Sequence, residues 1–159
     1  MELILWRHAE AEDGAPDLAR ELTIKGQRQA RKMAKFLQHN LPADTRILVS
    51  PATRTLQTVA ALTDQFTVVN SLAPNASAHA ILQAARWPQA HGTVLIVGHQ
   101  PTLGAVAAAL LGSAETSYRI KKGSIWWFRH RESEAYAQTT LRLVITPNML
   151  PFSLKNQHV

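Results

Sequence analysis

The sequence predicts an α/β protein, a three-layer α/β/α sandwich with a mostly parallel central sheet. Short apolar runs recur along the 159 residues, and the early ones are each followed by a turn and a segment of helical periodicity. Strands that alternate with helices need crossover connections, which give a parallel sheet covered on both faces. The chain also lacks repeats and long linkers, so residues 1–159 are expected to form a single domain.

Local signals set the predicted elements of the first half of the chain. The first helix has Thr23 as its N-cap, and the second is predicted to begin at Ser50, as N-cap, with Pro51 at the first helical position. One face of the first helix is apolar through Ala30, Met33, Ala34 and Leu37. The elements of this half are strand 3–6, helix 24–39, strand 47–49, helix 50–65 and the weaker strand 66–69.

The second half begins with a helix at residues 78–87, which Pro88 should end. Residues 93–97 give the clearest buried strand, because a threonine is followed there by four consecutive aliphatic residues. Pro101 should open the next helix and Gly112 should stop it. The closing elements are strands 124–130 and 139–146.

Composition narrows the function. The chain has no cysteine, which excludes disulfides, thiol catalysis and Cys-ligated metal, and no apolar stretch long enough to span a bilayer. Without a recognisable signal peptide, a cytoplasmic protein is expected. The net charge of +6 favours an anionic ligand. A nucleic acid is not expected, because no Lys/Arg run exceeds two residues.

Three predicted strands end in groups suited to phosphate. The first ends in Arg7 and His8, the second leads to Arg54, and the strand at residues 93–97 ends next to His99. The carboxyl ends of parallel strands share one edge of a sheet, where ligands of such sheets bind. Arginine forks match phosphate oxygens, and helix N-termini after the strands add positive potential. The sequence therefore predicts a pocket for a dianion at this edge.

The histidines suggest what happens to that dianion. Nearby arginines should keep His8 neutral, so that it can attack phosphorus in line and form a phosphohistidine. His99, if protonated, could stabilise charge on the phosphoryl oxygens together with the arginines. No metal or cofactor is expected, because the protein supplies the cations. Each group alone also has a purely structural reading, such as a solvated Arg54 or a turn histidine at residue 99.

The combined motifs resemble the histidine phosphatase superfamily. Residues 7–10 (Arg-His-Ala-Glu) are similar to its Arg-His-Gly motif, residues 22–30 and 50–58 to its following segments, and Gly98-His99 to its second histidine motif. The resemblance implies a phosphoglycerate mutase-like fold, His8 as catalytic nucleophile, and Arg7, Arg54 and His99 as phosphate ligands. Ala9 departs from the family glycine, which would matter if a positive φ were needed there.

Within this family the overall layout resembles that of the bacterial SixA-type phosphohistidine phosphatases. No Asp or Glu occurs between Asp64 and Glu115, the region where ester-cleaving members usually carry a general acid. A leaving imidazole, with a pKa near ~6.5, needs such an acid less than an alkoxide does. The expected substrate is a phosphohistidine-bearing protein, with Glu10 or His79 as an accessory proton donor if one is used.

Three alternatives remain open at this stage. The chain could be a broad phosphomonoesterase acting on small phosphorylated molecules, a non-catalytic phosphate-binding module, or a nucleic-acid-binding protein explained by charge alone. The predicted helix at residues 24–39 also carries a basic face, which is either its solvated side or a docking surface for an acidic partner.

Overall fold

Six strands form one sheet in the computed structural model, which describes residues 1–151. The strands are β1 (Glu2–Arg7), β2 (Arg46–Val49), β3 (Thr67–Val68), β4 (Thr93–Gly98), β5 (Ile125–Glu132) and β6 (Ala137–Ile145). Their spatial order is β3-β2-β4-β1-β5-β6. The first four run parallel, and β5 and β6 pair antiparallel, which confirms the predicted mostly parallel sheet.

Helices cover both faces of the sheet, as the sandwich prediction requires. They are α1 (Ile24–Asn40), α2 (Thr53–Ala60), α3 (Ala78–Ala85) and α4 (Thr102–Leu110). Residues of α1 and α2 pack with Ile4 and Trp6 of β1, whereas residues of α3 and α4 pack with Leu3 and Leu5. Adjacent residues of a strand point to opposite faces, so this one strand feeds both cores.

The strands of residues 1–151 share one sheet. One sheet and its two apolar cores include elements from β1 to β6. That residues 1–159 form a single domain stays a prediction, because residues 152–159 lie outside the described part of the chain. No helix within residues 1–151 combines the length and the apolar character that crossing a membrane would require.

Helix α1 forms where its cap and its periodicity place it. The Thr23 hydroxyl accepts a hydrogen bond from the Gly26 amide at 2.9 Å, which satisfies one of the free donors of the first turn. The predicted apolar face is buried, through Ala30, Met33, Ala34 and Leu37.

The prediction for the helix after β2 was wrong at both ends. Helix α2 begins at Thr53 with Ala52 at the cap position. The Ser50 hydroxyl accepts from the Ala52 amide, ahead of the helix, and contacts the His99 ring. The helix also ends at Ala60, well before residue 65. Leu62 and Thr63 both donate to the Val59 carbonyl, which tightens the chain into a turn.

Several other boundaries differ from the sequence prediction by one or two residues, and two of these differences are at the end of α3 and in β3. Helix α3 ends at Ala85, because Arg86 takes a left-handed conformation and closes the helix two residues before Pro88. Strand β3 is shorter than predicted and covers only Thr67–Val68. Neither difference affects the strand ends where the functional groups were expected.

The strand register aligns those ends. Arg7 of β1 is level with Gly98 of β4, and Val49 of β2 is level with Val97. The chain pairing continues one step further, because the His8 amide donates to the Gly98 carbonyl at 3.1 Å and the Ser50 amide to the Val97 carbonyl at 3.1 Å. His8, Ser50 and His99 therefore emerge at one level of the sheet edge.

Helix α1 anchors the loop that follows β1. A Cβ atom added at Gly26 would overlap the backbone carbonyl of Glu10, so only glycine fits at this contact. The Glu10 carbonyl also accepts from the Thr23 amide at 3.0 Å. The loop after His8 is thereby held against the first turn of α1.

We expect Gly26→Ala to lower the free energy of unfolding by about 2 kcal/mol, because the overlap exceeds the gain in helix propensity. Urea unfolding followed by circular dichroism measures the change. Gln27→Ala, at an exposed position one residue on, is the control and should change little. Equal stability of both variants would show that the α1–loop contact is not tight.

Candidate active site

The ends of β1, β2 and β4 surround a cavity of about 300 Å³. It contains the two histidines and two arginines that the sequence predicted to converge: Arg7, His8, Arg54 and His99. The remaining lining residues are Ala11, Asp13, Asp17, Arg20, Pro74, Asn75, Gln100 and Lys122. Cations outnumber carboxylates in this lining, so the cavity suits an anion.

The His8 ring is buried and fixed in one tautomer. Its Nδ1 lies 2.7 Å from the Ala9 carbonyl oxygen. A carbonyl can only accept, so Nδ1 carries the proton and Nε2 holds a free lone pair. The Ala9 amide donates to the Thr58 hydroxyl at 3.1 Å, which ties this turn to α2.

Alanine at position 9 causes no backbone strain. Within residues 1–151, only Asn75 and Arg86 among the non-glycine residues have positive φ, so Ala9 does not require the conformation that favours glycine. Its side chain is fully buried under the loop, where it packs with Leu22 and Ala30. The substitution of alanine for the family glycine therefore leaves the His8 turn intact.

The second histidine faces the first. The rings of His8 and His99 are tilted, with centroids 5.3 Å apart. His99 Nε2 lies 2.7 Å from the Ser50 hydroxyl, which is itself fully buried. The hydroxyl orients the ring and leaves His99 Nδ1 to face another partner.

Each arginine is anchored by part of its guanidinium group. Arg7 Nη1 donates to the Ile120 carbonyl at 2.7 Å. Arg54 donates from Nη1 to the Asp17 carbonyl at 2.8 Å and from Nη2 to the Asp17 carboxylate at 3.1 Å. The Arg54 side chain is only 4% exposed, so its charge is held inside the protein.

Three buried nitrogen atoms in this cluster have no hydrogen-bond partner within residues 1–151. They are Arg7 Nε, Arg54 Nε and His99 Nδ1, one from each of the three strand ends. A buried unsatisfied polar group costs about 1–3 kcal/mol, so native proteins seldom keep several of them together. An oxyanion between the two histidines would offer acceptors to such donors.

Burial keeps both imidazoles neutral at physiological pH. Desolvation lowers the pKa of His8 to about 4, with Arg54 and Arg7 acting in the same direction against the opposing hydrogen bond to Ala9. Desolvation, followed by the charges of His8 and Arg54, lowers the pKa of His99 to about 3. His99 is thus neutral here, whereas the sequence analysis considered a protonated form.

Sequence reasoning missed Asp17. Its carboxylate lines the cavity and pairs with Arg54 and Arg20, although the side chain is 56% exposed. The signal was weak, because Asp17 lies in a 3-10 helix of only three residues, Asp17–Ala19, and its partner Arg54 is 37 residues away in sequence. Only its spacing to Arg20, which places both on one turn, pointed to a charge pair.

Glu10 lies outside the cavity that contains the histidines. Its carboxylate accepts from the Thr23 hydroxyl at 2.8 Å, and it lines a neighbouring depression. Its accessory role therefore stays a prediction, and the contact shown is one that positions the loop. His79 is exposed on α3 and does not line the cavity either.

Comparisons with known proteins point to one family. A sequence profile of the histidine phosphatase superfamily (branch 1) matches residues 3–77. A phosphohistidine phosphatase SixA homolog from Haemophilus influenzae is 32% identical over 128 residues, covering 70% of this chain and 78% of the relative. An uncharacterized protein from Picosynechococcus sp. is 34% identical over 163 residues, covering 94% and 99%. A solved structure of the protein histidine phosphatase SixA complexed with tungstate has 25% identity and a TM-score of 0.75, covering 94% and 99%.

Fold and comparisons together define a hydrolase of the phosphatase class with a phosphoglycerate mutase-like architecture. The chain belongs to the histidine phosphatase superfamily, and SixA proteins are among its relatives. The fold class and the family that the sequence predicted are therefore confirmed.

Acid should destabilise this protein partly through His8. Folding lowers the pKa of His8 to about 4, so below pH ~6.5 the unfolded chain takes up a proton that the folded protein does not. The free energy of unfolding is therefore highest above pH ~6.5 and falls as the pH drops toward about 4. We expect the free energy of unfolding to fall more steeply between pH 7.5 and 5 in the native protein than in His8→Asn, whose amide cannot titrate. Urea unfolding across this range measures both slopes. Parallel curves would contradict a neutral, buried His8.

Proposed function

We propose that the protein hydrolyses protein phosphohistidine, with His8 as the nucleophile. The observation that carries the proposal is a set of three buried nitrogen atoms, Arg7 Nε, Arg54 Nε and His99 Nδ1, that have no partner among residues 1–151 and lie beside a histidine with a free Nε2. Donors that lack protein partners are ready for phosphoryl oxygens, and the free nitrogen is ready for phosphorus. A pure binding module would need the first feature but not the second.

The phosphoryl group is proposed to bind between the histidines. Arg7 and Arg54 supply two fixed positive charges, and His99 is proposed to donate from Nδ1, in the tautomer whose Nε2 accepts from the Ser50 hydroxyl. Helix α2 begins one residue before Arg54, so its N-terminus adds positive potential on the same side. An arriving dianion also raises the pKa of His99, which strengthens its hydrogen bond.

The tautomer of His8 suits both halves of the reaction. Nε2 attacks phosphorus as the P–N bond to the substrate breaks, and a substrate ring protonated on its other nitrogen leaves as neutral imidazole. His8 keeps its Nδ1 proton, held by the Ala9 carbonyl, so the phosphorylated ring carries a positive charge. Water then attacks phosphorus, the N–P bond breaks, and neutral His8 and dihydrogen phosphate result.

The cavity favours a P–N bond over an ester. No carboxyl from residues 65–114 is present, and Asp17, which does line the cavity, has its pKa lowered by Arg54 and Arg20, which outweigh a raising effect of desolvation. A group that is already a carboxylate at neutral pH holds no proton to give an alkoxide. Leaving imidazole needs no such donor.

The names of two relatives support this proposal. The Haemophilus influenzae protein is named a phosphohistidine phosphatase homolog, and the solved SixA structure binds tungstate, an oxyanion. The phosphohistidine-bearing partner, the cytoplasmic location and the absence of a cofactor stay predictions. The strongest alternative is a broad phosphomonoesterase, which Asp13 favours because its carboxyl also lines the cavity.

A paired turnover assay tests the proposal. In the presence of chelator, a phosphohistidine peptide should be hydrolysed much faster than a phosphoserine peptide of the same sequence. His8→Ala should lower kcat by at least about a thousandfold, because the nucleophile is removed. His91→Ala, which removes an exposed histidine outside the cavity, should leave kcat unchanged. Faster release from phosphoserine would favour the phosphomonoesterase, and Asp13→Asn would then test its acid.

Asp17 competes with phosphate for Arg54. We expect Asp17→Asn to tighten the binding of inorganic phosphate roughly fivefold, the order expected of a half-exposed charge. Isothermal titration calorimetry measures the affinity. Asp13→Asn removes the same charge from the same cavity without touching Arg54, so it should have a smaller effect. Weaker binding by Asp17→Asn would show instead that Asp17 positions Arg54 for phosphate.

A further inference from the structure

A second, strongly basic depression lies beside the phosphate cavity. Its volume is about 400 Å³. Its lining includes Arg7 and four exposed cations that we call the basic rim: Lys25, Arg119, Lys121 and Lys122. Glu10 is the one carboxylate in this lining. The depression therefore has a large excess of positive charge.

The basic rim is continuous with the phosphate cavity. Arg7 and Lys122 line both spaces. The pKa of Arg7 is lowered first by its own burial and next by the positive charge of Arg119, which therefore lies close to it. A ligand whose phosphoryl group sits between the histidines would therefore extend over the rim.

The rim is not neutralised from within. In the portion of the chain spanning residues 1–151, the ion pairs involve other arginines, and none includes a residue of the rim. The Glu10 carboxylate accepts from the Thr23 hydroxyl and forms no ion pair in that portion. The positive charge of the rim is available to an external partner.

Lys25 adds an independent sign of function. It lies in the first turn of α1, which has no acidic residue there. A cation at this end opposes the helix dipole, which disfavours it by about 0.3–1 kcal/mol. Local choices that work against stability concentrate at functional surfaces.

We propose that the basic rim docks a carboxylate-rich surface of the phosphohistidine-bearing protein, next to the phosphorylated side chain. This inference rests on the proposed function and names the kind of substrate that the site selects. Charge complementarity of this type raises the rate of encounter and sets the orientation of the partner. The rim would thus present the phosphohistidine to His8.

The chemistry of the rim favours an acidic protein surface over a second phosphate. The phosphate cavity uses buried, anchored arginines, whereas the rim is mostly exposed lysine on separate segments, at the start of α1 and in the chain before β5. Long, mobile ammonium groups adapt to dispersed carboxylates and make no fixed fork. Aromatic side chains, on which nucleic-acid bases would stack, do not line the depression.

Two phosphohistidine peptides of equal length test the proposal, one with Glu and Asp flanking the phosphohistidine and one with Gln and Asn. We expect kcat/KM to be about tenfold higher for the acidic peptide at low salt, and the preference to shrink at 0.5 M salt. Arg119→Gln/Lys121→Gln should abolish most of this preference.

The matched control is Arg86→Gln/Arg131→Gln. This double variant also removes two positive charges. Arg131 lies near the end of β5, beside Met1 and away from the strand ends that form the site. Neither arginine lines the basic depression or the phosphate cavity. The control variant should keep the preference. Equal kcat/KM for the two peptides, or equal loss in both double variants, would overturn the docking proposal while turnover itself upholds the proposed function.

Binding separates the two proposals if neither peptide is turned over. Fluorescence anisotropy would then measure the affinity for the acidic peptide without its phosphoryl group. Salt-sensitive binding that the rim variant loses and the control variant keeps would uphold the rim although the phosphatase proposal had failed. Tighter binding of a single-stranded oligonucleotide of equal charge would overturn the choice of an acidic protein.

Discussion

The parallel pairing of β4 with both β1 and β2 is the constraint on which the site depends. Because the pairing extends to the His8 amide and the Ser50 amide, the residues after three separate strands leave the sheet at the same level. A one-residue slip would turn each following side chain to the other face. Strand β4 is fully buried and is apolar from Val94 to Gly98, and it fixes the register, since both of its faces pack against helices.

Burial gives the site its chemical character. It removes water from both imidazoles, keeps them neutral, and leaves their positions set by a single hydrogen bond each, to the Ala9 carbonyl and the Ser50 hydroxyl. The same burial leaves one nitrogen atom each of Arg7, Arg54 and His99 without a hydrogen-bond partner among residues 1–151. The phosphoryl group of the proposed substrate would supply acceptors at this place.

The loop after β1 links this centre to its surroundings. Gly26 and Thr23 hold Glu10 of this loop against α1, while Asp17, further along the loop, reaches Arg54. The half-exposed Asp17 carboxylate is the anion with which the proposed phosphate would compete. The basic rim, which shares Arg7 with the phosphate cavity, extends the positive potential toward solvent. The cations of the cavity centre are anchored arginines, whereas those of the rim are exposed side chains.

The sequence by itself determined the fold class and the cap and core face of α1, because apolar periodicity and capping residues are local signals. It also determined the convergence of Arg7, His8, Arg54 and His99, because parallel strands end at the same edge of a sheet. Only the tertiary structure decided the contacts between distant segments. Ser50 was expected to cap a helix, but its hydroxyl forms a hydrogen bond with His99, 49 residues away in sequence. Asp17 was missed because its partner lies on another element. Side-chain pairing and pKa depend on burial, which no single segment encodes.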